Sequence, residues 1–428
     1  MRETIDLLRH ERRARVFFLA LAQSALGTGA GYIALLLIAE SRFDSPWAVS
    51  LVLIADLIPA MLLGPIFGAA ADRWSRKRCA IVADVLRVVA FAGIALVDGF
   101  TATVALAVLA GAGTGLFTPA ALAGLPSVLD DARRTPAATS LYGAVADLGF
   151  TVGPALAAGV LLLGGPETLI WVNAATFALS GVLLVAVRFG AAPEHPSGEP
   201  RPSLFAEARD GLRATAGAPA IRVVLVASAG ALFCAGMFNI AELFFATDDI
   251  GTTEAGFGVL VAFFGIGFVG GSLAGSKGGA APLLKRRLLI GMFVLGVGFV
   301  ATGLTGSFAI ALITFMIAGA GNGLLVVYER LLIQHSFPDS HVGRVFGIRD
   351  ALTAWSFALA FVIAGALVTE IGASAVIAIA GGVALLVCAI AAVVLRGSWT
   401  DPDDTGYLPA EPAVVAPTPR PGDPVLRG

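Results

Sequence analysis

Charge is scarce in this sequence. Of its 428 residues only 14% are Asp, Glu, Lys or Arg, against roughly 25% in soluble domains, which excludes a water-soluble globule. Cysteine is scarcer still. Cys79, Cys234 and Cys388 lie in or beside apolar runs, have no metal-ligand spacing, and read as small buried hydrophobes. A disulfide scaffold is excluded and no metal is expected. The four histidines, His10, His195, His335 and His341, sit in polar flanks. None has an acid or serine at catalytic spacing inside an apolar run, so the chain is not read as an enzyme. No G-x-x-x-x-G-K-[ST] phosphate cradle occurs, so no nucleotide or other cofactor is expected, and energy must come from an ion gradient. The net charge of −2 leaves no nucleic-acid footprint. Lysine occurs three times against 25 arginines, a bias that suits a high-GC bacterial genome.

What is present is apolar length. Hydrophobic residues make up 57% of 428, about 244 positions, and the mean hydropathy is +0.88. A spanning helix takes ~20 apolar residues, which leaves room for about twelve. The runs are continuous rather than alternating, so a transmembrane β-barrel is excluded. They fall near 16–39, 47–71, 79–97, 101–125, 139–163 and 168–187, then near 221–246, 255–275, 288–305, 308–333, 345–369 and 373–395. The expected fold class is an all-α polytopic membrane protein, with twelve transmembrane helices as two six-helix halves. Residues 1–189 form the first half and 220–396 the second. Residues 190–219 form a cytoplasmic linker, in which Leu204, Phe205, Ala208 and Leu212 share one face of an amphipathic helix. Residues 397–428 are a proline-rich tail expected to be disordered.

Met1 to Arg15 is polar and the first apolar run is of spanning length, so no cleavable signal peptide is expected. With a cytoplasmic N-terminus, 26 of the 28 basic residues fall inside. Arg42 falls outside and Arg87 lies within a span. This asymmetry predicts cytoplasmic N- and C-termini in a bacterial plasma membrane. A repeat is also legible. Gly68-Ala-Ala-Ala-Asp72-Arg73 ends the second span, and Gly271-Ser-Leu-Ala-Gly275-Ser276-Lys277 ends the eighth, 203 positions on (68 to 271). Two six-helix halves in parallel repeat are a secondary-transporter architecture.

The loop Gly68-Ala69-Ala70-Ala71-Asp72-Arg73-Trp74-Ser75-Arg76-Lys77 resembles the G-x-L-A-D-R-x-G-R-[RK] signature of the major facilitator superfamily. Ala70 and Ser75 depart from it. The resemblance implies a gating loop made by Gly68, Asp72, Arg73, Arg76 and Lys77, in which Asp72 faces a helix N-terminus and the basic residues tie the loop to the other half. Within the superfamily the likeness is to its drug and siderophore exporters, of the macrolide- and enterobactin-exporter type. Gly149-Phe-Thr-Val-Gly153-Pro154 resembles their Gly-Pro motif, although Ala157-Ala158 replaces the usual Gly-Gly. Pro338-Asp-Ser-His-Val-Gly343-Arg344-Val-Phe-Gly347 resembles their loop after helix ten. The fourth span lacks the arginine that many proton antiporters carry, so their proposed proton route through it does not transfer.

Charged groups at membrane depth cost at least ~2.5–3.5 kcal/mol and by default mark function. Asp56 lies ~13 Å into the second span at ~1.5 Å per residue. It has no basic neighbour in its own helix. Asp147 lies two turns into the fifth span, beside Gly153-Pro154, and is the favoured proton carrier. Glu242 lies toward the outer end of the seventh. Asp56, Asp147 and Glu242 are therefore the proton- and substrate-coupling candidates. Asp84 and Arg87, three apart on one face, are expected to pair. Gln23, Asn173, Asn239 and Asn322 are cavity candidates. The expected function is proton-coupled export of a small amphipathic compound such as a drug, siderophore or secondary metabolite, by alternating access. An importer of a small organic solute and a non-transporting sensor are the alternatives. The expected partners are the small-molecule substrate, protons and membrane lipid, and the expected state is a monomer.

Overall fold

Apolar runs of spanning length satisfy every backbone hydrogen bond internally when helical, and helix is what they form. The computed structural model describes residues 7–187, 189, 204–275 and 278–400. Among these, α1 (Arg12–Phe43), α2 (Pro46–Arg73), α3 (Arg76–Leu96), α4 (Phe100–Gly124), α5 (Thr135–Leu161) and α6 (Pro166–Ala186) come first. The short α7 (Leu204–Ala216) follows. Then come α8 (Pro219–Phe244), α9 (Glu254–Gly275), α10 (Ala281–Gly303), α11 (Phe308–Ser336), α12 (Asp339–Ile371) and α13 (Ala373–Val394). Ten of these helices are long and apolar enough to cross a membrane. The other two long ones are α5 and α10, and α10 carries Lys285-Arg286-Arg287 in its first two turns. Proline at the first or second position starts α2, α5, α6, α8 and α10, where a missing N–H costs nothing.

Two groups result. α1 packs on α5 and α6, α4 on α2 and α3, and α3 on α6. Equivalently, α8 packs on α12 and α13, α11 on α9 and α10, and α10 on α13. The groups meet along α2–α12 and α5–α9.

Close helix packing exposes the true register of the repeat. A Cβ on Gly111 of α4 would run into the backbone carbonyl of Asp56 on α2, and one on Gly319 of α11 into that of Phe264 on α9. Both members advance by 208 (111 to 319, 56 to 264). Gly113 against Arg87 and Gly321 against Leu295 advance by 208 as well. So do two side-chain bonds: Lys77 Nζ donates to the Val187 carbonyl at 2.7 Å, and Lys285 Nζ to the Leu395 carbonyl at 2.9 Å. The 203-residue spacing of the two basic loops is therefore out of register by five. At the packing offset Gly271 falls opposite Leu63, not Gly68. Loop likeness reflects shared composition, whereas steric contact between backbones permits one register.

Helix ends are tied by basic side chains, which suits the partial negative charge there. Arg42 Nη1 donates to the Ile94 carbonyl at 2.7 Å and to that of Val97. Among the described residues, the one basic residue at the far end of the bundle thus closes α3. At the opposite, basic end Lys285 also donates to the Ser398 carbonyl, and Trp399 is fully buried. The first residues of the expected disordered tail are therefore packed, because a ring of that size gains most by leaving water. The tail beyond Thr400 lies outside the described residues.

Candidate functional site

Spacing of three puts Asp84 and Arg87 on one face of α3. Arg87 Nη2 donates to Asp84 Oδ1 at 2.5 Å, and both side chains are 1% exposed. Ser180 Oγ, from α6, donates to Asp84 Oδ2 at 2.8 Å. The guanidinium carbon lies 4.4 Å from the Phe117 ring centroid and 4.3 Å from that of Phe177. It is thus sandwiched between two quadrupoles that attract a cation. Gly113 of α4 makes room for the Arg87 stem. Arg87 Nε is buried with no partner among the described residues. A buried pair of this kind is held by geometry; removing one partner strands the other's charge.

Asp56 on α2 belongs to the same array. Asp56 and, on α5, Tyr142 lie within electrostatic reach of Arg87, whose ion pair among the described residues is with Asp84. Asp56 therefore has a cation within electrostatic reach on a neighbouring helix, which its own helix did not reveal. It is also the partly exposed member, while Asp84 and Arg87 are sealed. At the packing offset of 208 the equivalents are apolar: Phe264 for Asp56, Met292 for Asp84 and Leu295 for Arg87. Met292 and Leu295 are fully buried, and Phe264 stacks on Phe238 at 5.9 Å. Phe238 in turn packs against Phe299 at 4.4 Å and Phe315 at 5.0 Å. At these three positions phenylalanine packing and apolar side chains replace the charges in the second group, whose own buried ion pair, Glu329–Arg349, lies elsewhere on α11 and α12.

The remaining expected residues scatter. Asp147 lies on α5, but its side chain lies outside the described residues. Glu242, on α8, is 4% exposed and forms no ion pair among the described residues. It acts electrostatically on Tyr32, whose hydroxyl donates across the two groups to the Asn239 carbonyl at 3.1 Å. Other cross-group contacts also lie toward the far end: Gly365 of α12 against Ser50 of α2, and Gly258 of α9 against Ala158 of α5. Gly149 and Gly153 press on Ala25, Gly29 and Ala30 of α1. The Ala157-Ala158 departure from the Gly-Pro motif sits where Gly258, lacking a side chain, leaves room for Ala158 from the other partner.

Of the expected gating loop, the side chains of Gly68, Asp72 and Arg73 lie outside the described residues, and Arg76 opens α3. Lys77 ties α3 to α6 through the Val185 and Val187 carbonyls, both at 2.7 Å, and so acts within its own group rather than between groups. Gln23 and Asn173 come together along a crevice of about 60 Å³ between α1, α5 and α6. That is small against the ~300–1,000 Å³ of typical ligand pockets. Asn239 and Asn322 lie apart from it, on α8 and α11.

Two features escaped the sequence. Tyr142 looked like one aromatic among many. Glu329 of α11, 1% exposed, accepts from Arg349 Nε of α12 at 3.0 Å. Glu329 sits beside the basic end of its span, where a charge reads as interfacial; only the neighbouring helix buries it.

A model of the Major Facilitator Superfamily matches residues 16–293 and 224–424. A relative named multidrug efflux pump Tap, from Mycolicibacterium fortuitum, is 29% identical over 382 residues, covering 83% of this chain and 89% of that protein. A Tap pump from Mycobacterium tuberculosis is 25% identical over 384 residues, 85% and 90% of the two chains. Among solved structures, the nucleoside transporter NupG superimposes with a TM-score of 0.72 at 11% identity, over 90% of this chain and 99% of that one; this likeness shows the fold alone.

Proposed function

We propose that this chain, which belongs to the Major Facilitator Superfamily, exports a small amphipathic compound in exchange for protons, with Asp56 as the proton carrier. Export is supported by the relatives named multidrug efflux pumps. The single observation that carries the coupling role is the sealed Asp84–Arg87 pair with Asp56 as the partly exposed acid near it, at three positions whose counterparts in the second helix group are apolar.

The mechanism follows from one cation shared by two acids. When Asp56 is ionised, Arg87 divides its field between Asp56 on α2 and Asp84 on α3. When Asp56 takes up a proton, Arg87 is held by Asp84 alone, and the pull of α3 on α2 is released. α2 is also the helix that meets α12 of the second group. Proton occupancy at Asp56 thereby biases how the two groups sit, which is the differential interaction a two-state transporter needs. The basic end faces the cytoplasm. Glu242, beside the Tyr32–Asn239 contact, is a second acid at the far-end closure.

The test is transport by purified protein in proteoliposomes, with a panel of fluorescent amphipathic compounds and an imposed pH gradient. Asp56→Asn mimics the protonated state. It should keep downhill movement and lose gradient-driven accumulation by roughly tenfold or more. If the variant accumulates substrate at the wild-type level and an uncoupler still collapses it, the proton is carried elsewhere. Accumulation under the opposite gradient would overturn export itself.

A further inference from the structure

At the basic end of the second helix group, α10 and α13 leave between them a groove of about 430 Å³. Its walls include Leu289, Ile290 and Phe293, and its mouth holds Lys285, Arg286 and Arg396. Ile290 and Phe293 are exposed, and the exposed apolar face continues through Leu386 and Ile390 of α13. This is the surface that a bilayer covers.

We propose that the groove binds one anionic phospholipid of the adjoining leaflet, its phosphate held between Arg286 and Arg396 and an acyl chain lying along Ile290 and Phe293. Three observations carry this. Lys285 is already engaged, donating to the Leu395 and Ser398 carbonyls. It therefore acts as the clasp that brings the end of α13, and Arg396 with it, to the mouth of the groove. Arg286 and Arg396 are exposed and have no ion pair among the described residues. Guanidinium groups match phosphate oxygens in bidentate fashion, and basic pockets between helices on the cytoplasmic side suit anionic headgroups. Finally, the three basic positions recur in the first group at the packing offset of 208. Lys77, Arg78 and Arg188 precede Lys285, Arg286 and Arg396, and Lys77 makes the equivalent bond to the Val187 carbonyl. The basic triad therefore belongs to the repeated unit.

The apolar walls decide the source of the phosphate. Inorganic phosphate gains nothing from Phe293 and Ile290, and a zwitterionic headgroup brings an ammonium group that two guanidinium groups repel. The groove lies on the outer surface, away from the charged array, so lipid binding there is independent of the export reading.

The experiment is native mass spectrometry of the full chain in detergent, offered equal phosphatidylglycerol and phosphatidylcholine. Wild type should retain phosphatidylglycerol preferentially. Each surface guanidinium near an anionic lipid is worth about a fivefold preference, so Arg286→Gln with Arg396→Gln should lower that preference roughly thirtyfold. Phe293→Ala should weaken retention of both lipids and leave the preference intact. Inorganic phosphate at millimolar concentration should not displace the lipid. Should the double variant fail to run as a monodisperse species, Arg396→Gln alone, at an exposed helix end, should lose about fivefold. An unchanged preference in either variant, or displacement by inorganic phosphate, overturns the proposal.

Discussion

Arg87 shows what one residue asks of its surroundings. Its cation is 1% exposed, paired at 2.5 Å and pressed between Phe117 and Phe177. Breaking such a pair costs about 3–5 kcal/mol, whereas replacing both partners by apolar residues is often neutral. The repeat itself suggests the replacement, since Met292 and Leu295 stand at the equivalent positions. Arg87→Leu alone should therefore lower the thermal midpoint in detergent sharply. Asp84→Met combined with Arg87→Leu should recover most of it and still abolish gradient-driven export. If the double variant transports normally, the pair is only structural and Asp56 has no cation to answer to. The α3 pair was legible from a spacing of three. Its reach to Asp56 and Tyr142 was not, because those residues lie on other helices and no periodicity links them.

Glycine governs the scale of helices. In α4 and α11, Gly111 and Gly319 meet neighbouring backbone carbonyls where no side-chain movement could make room. Gly111→Val or Gly319→Val should destabilise the protein by about 1–3 kcal/mol through overpacking, read as a fall in the detergent unfolding midpoint. Gly143→Ala in α5, where nothing lies within 4 Å, should not lower it and should add up to about 1 kcal/mol, since alanine is the better helix former. A midpoint that falls equally in all three variants would mean that backbone contact at Gly111 and Gly319 does not set the cost. The existence and length of the helices could be read from apolar runs, since a chain in lipid must satisfy its own backbone. Which glycines touch a neighbour could not, because every span is rich in small residues and only some face another helix.

At the scale of the whole molecule, the two helix groups touch near the far end through Gly258–Ala158, Gly365–Ser50 and Tyr32–Asn239. A transporter that alternates must make and break such contacts. Gly258→Val would put a branched side chain against the Ala158 backbone and hold the far ends apart. Export should fall at least about tenfold, while the unfolding midpoint moves by no more than about 1–3 kcal/mol would allow. Full export by that variant would show that this contact is not part of the cycle. What the sequence determined alone was the solvent, the helix count, the basic asymmetry and the presence of acids at membrane depth. Each of these depends on composition along one chain segment and on the cost of exposing charge or backbone to lipid. What only the tertiary structure decided was the repeat register of 208, the nearness of Arg87 to Asp56 as well as to Asp84, the confinement of Lys77 to its own group and the burial of Trp399. These depend on which faces of separate helices meet, and contact between distant segments follows from packing in three dimensions, which no local pattern records.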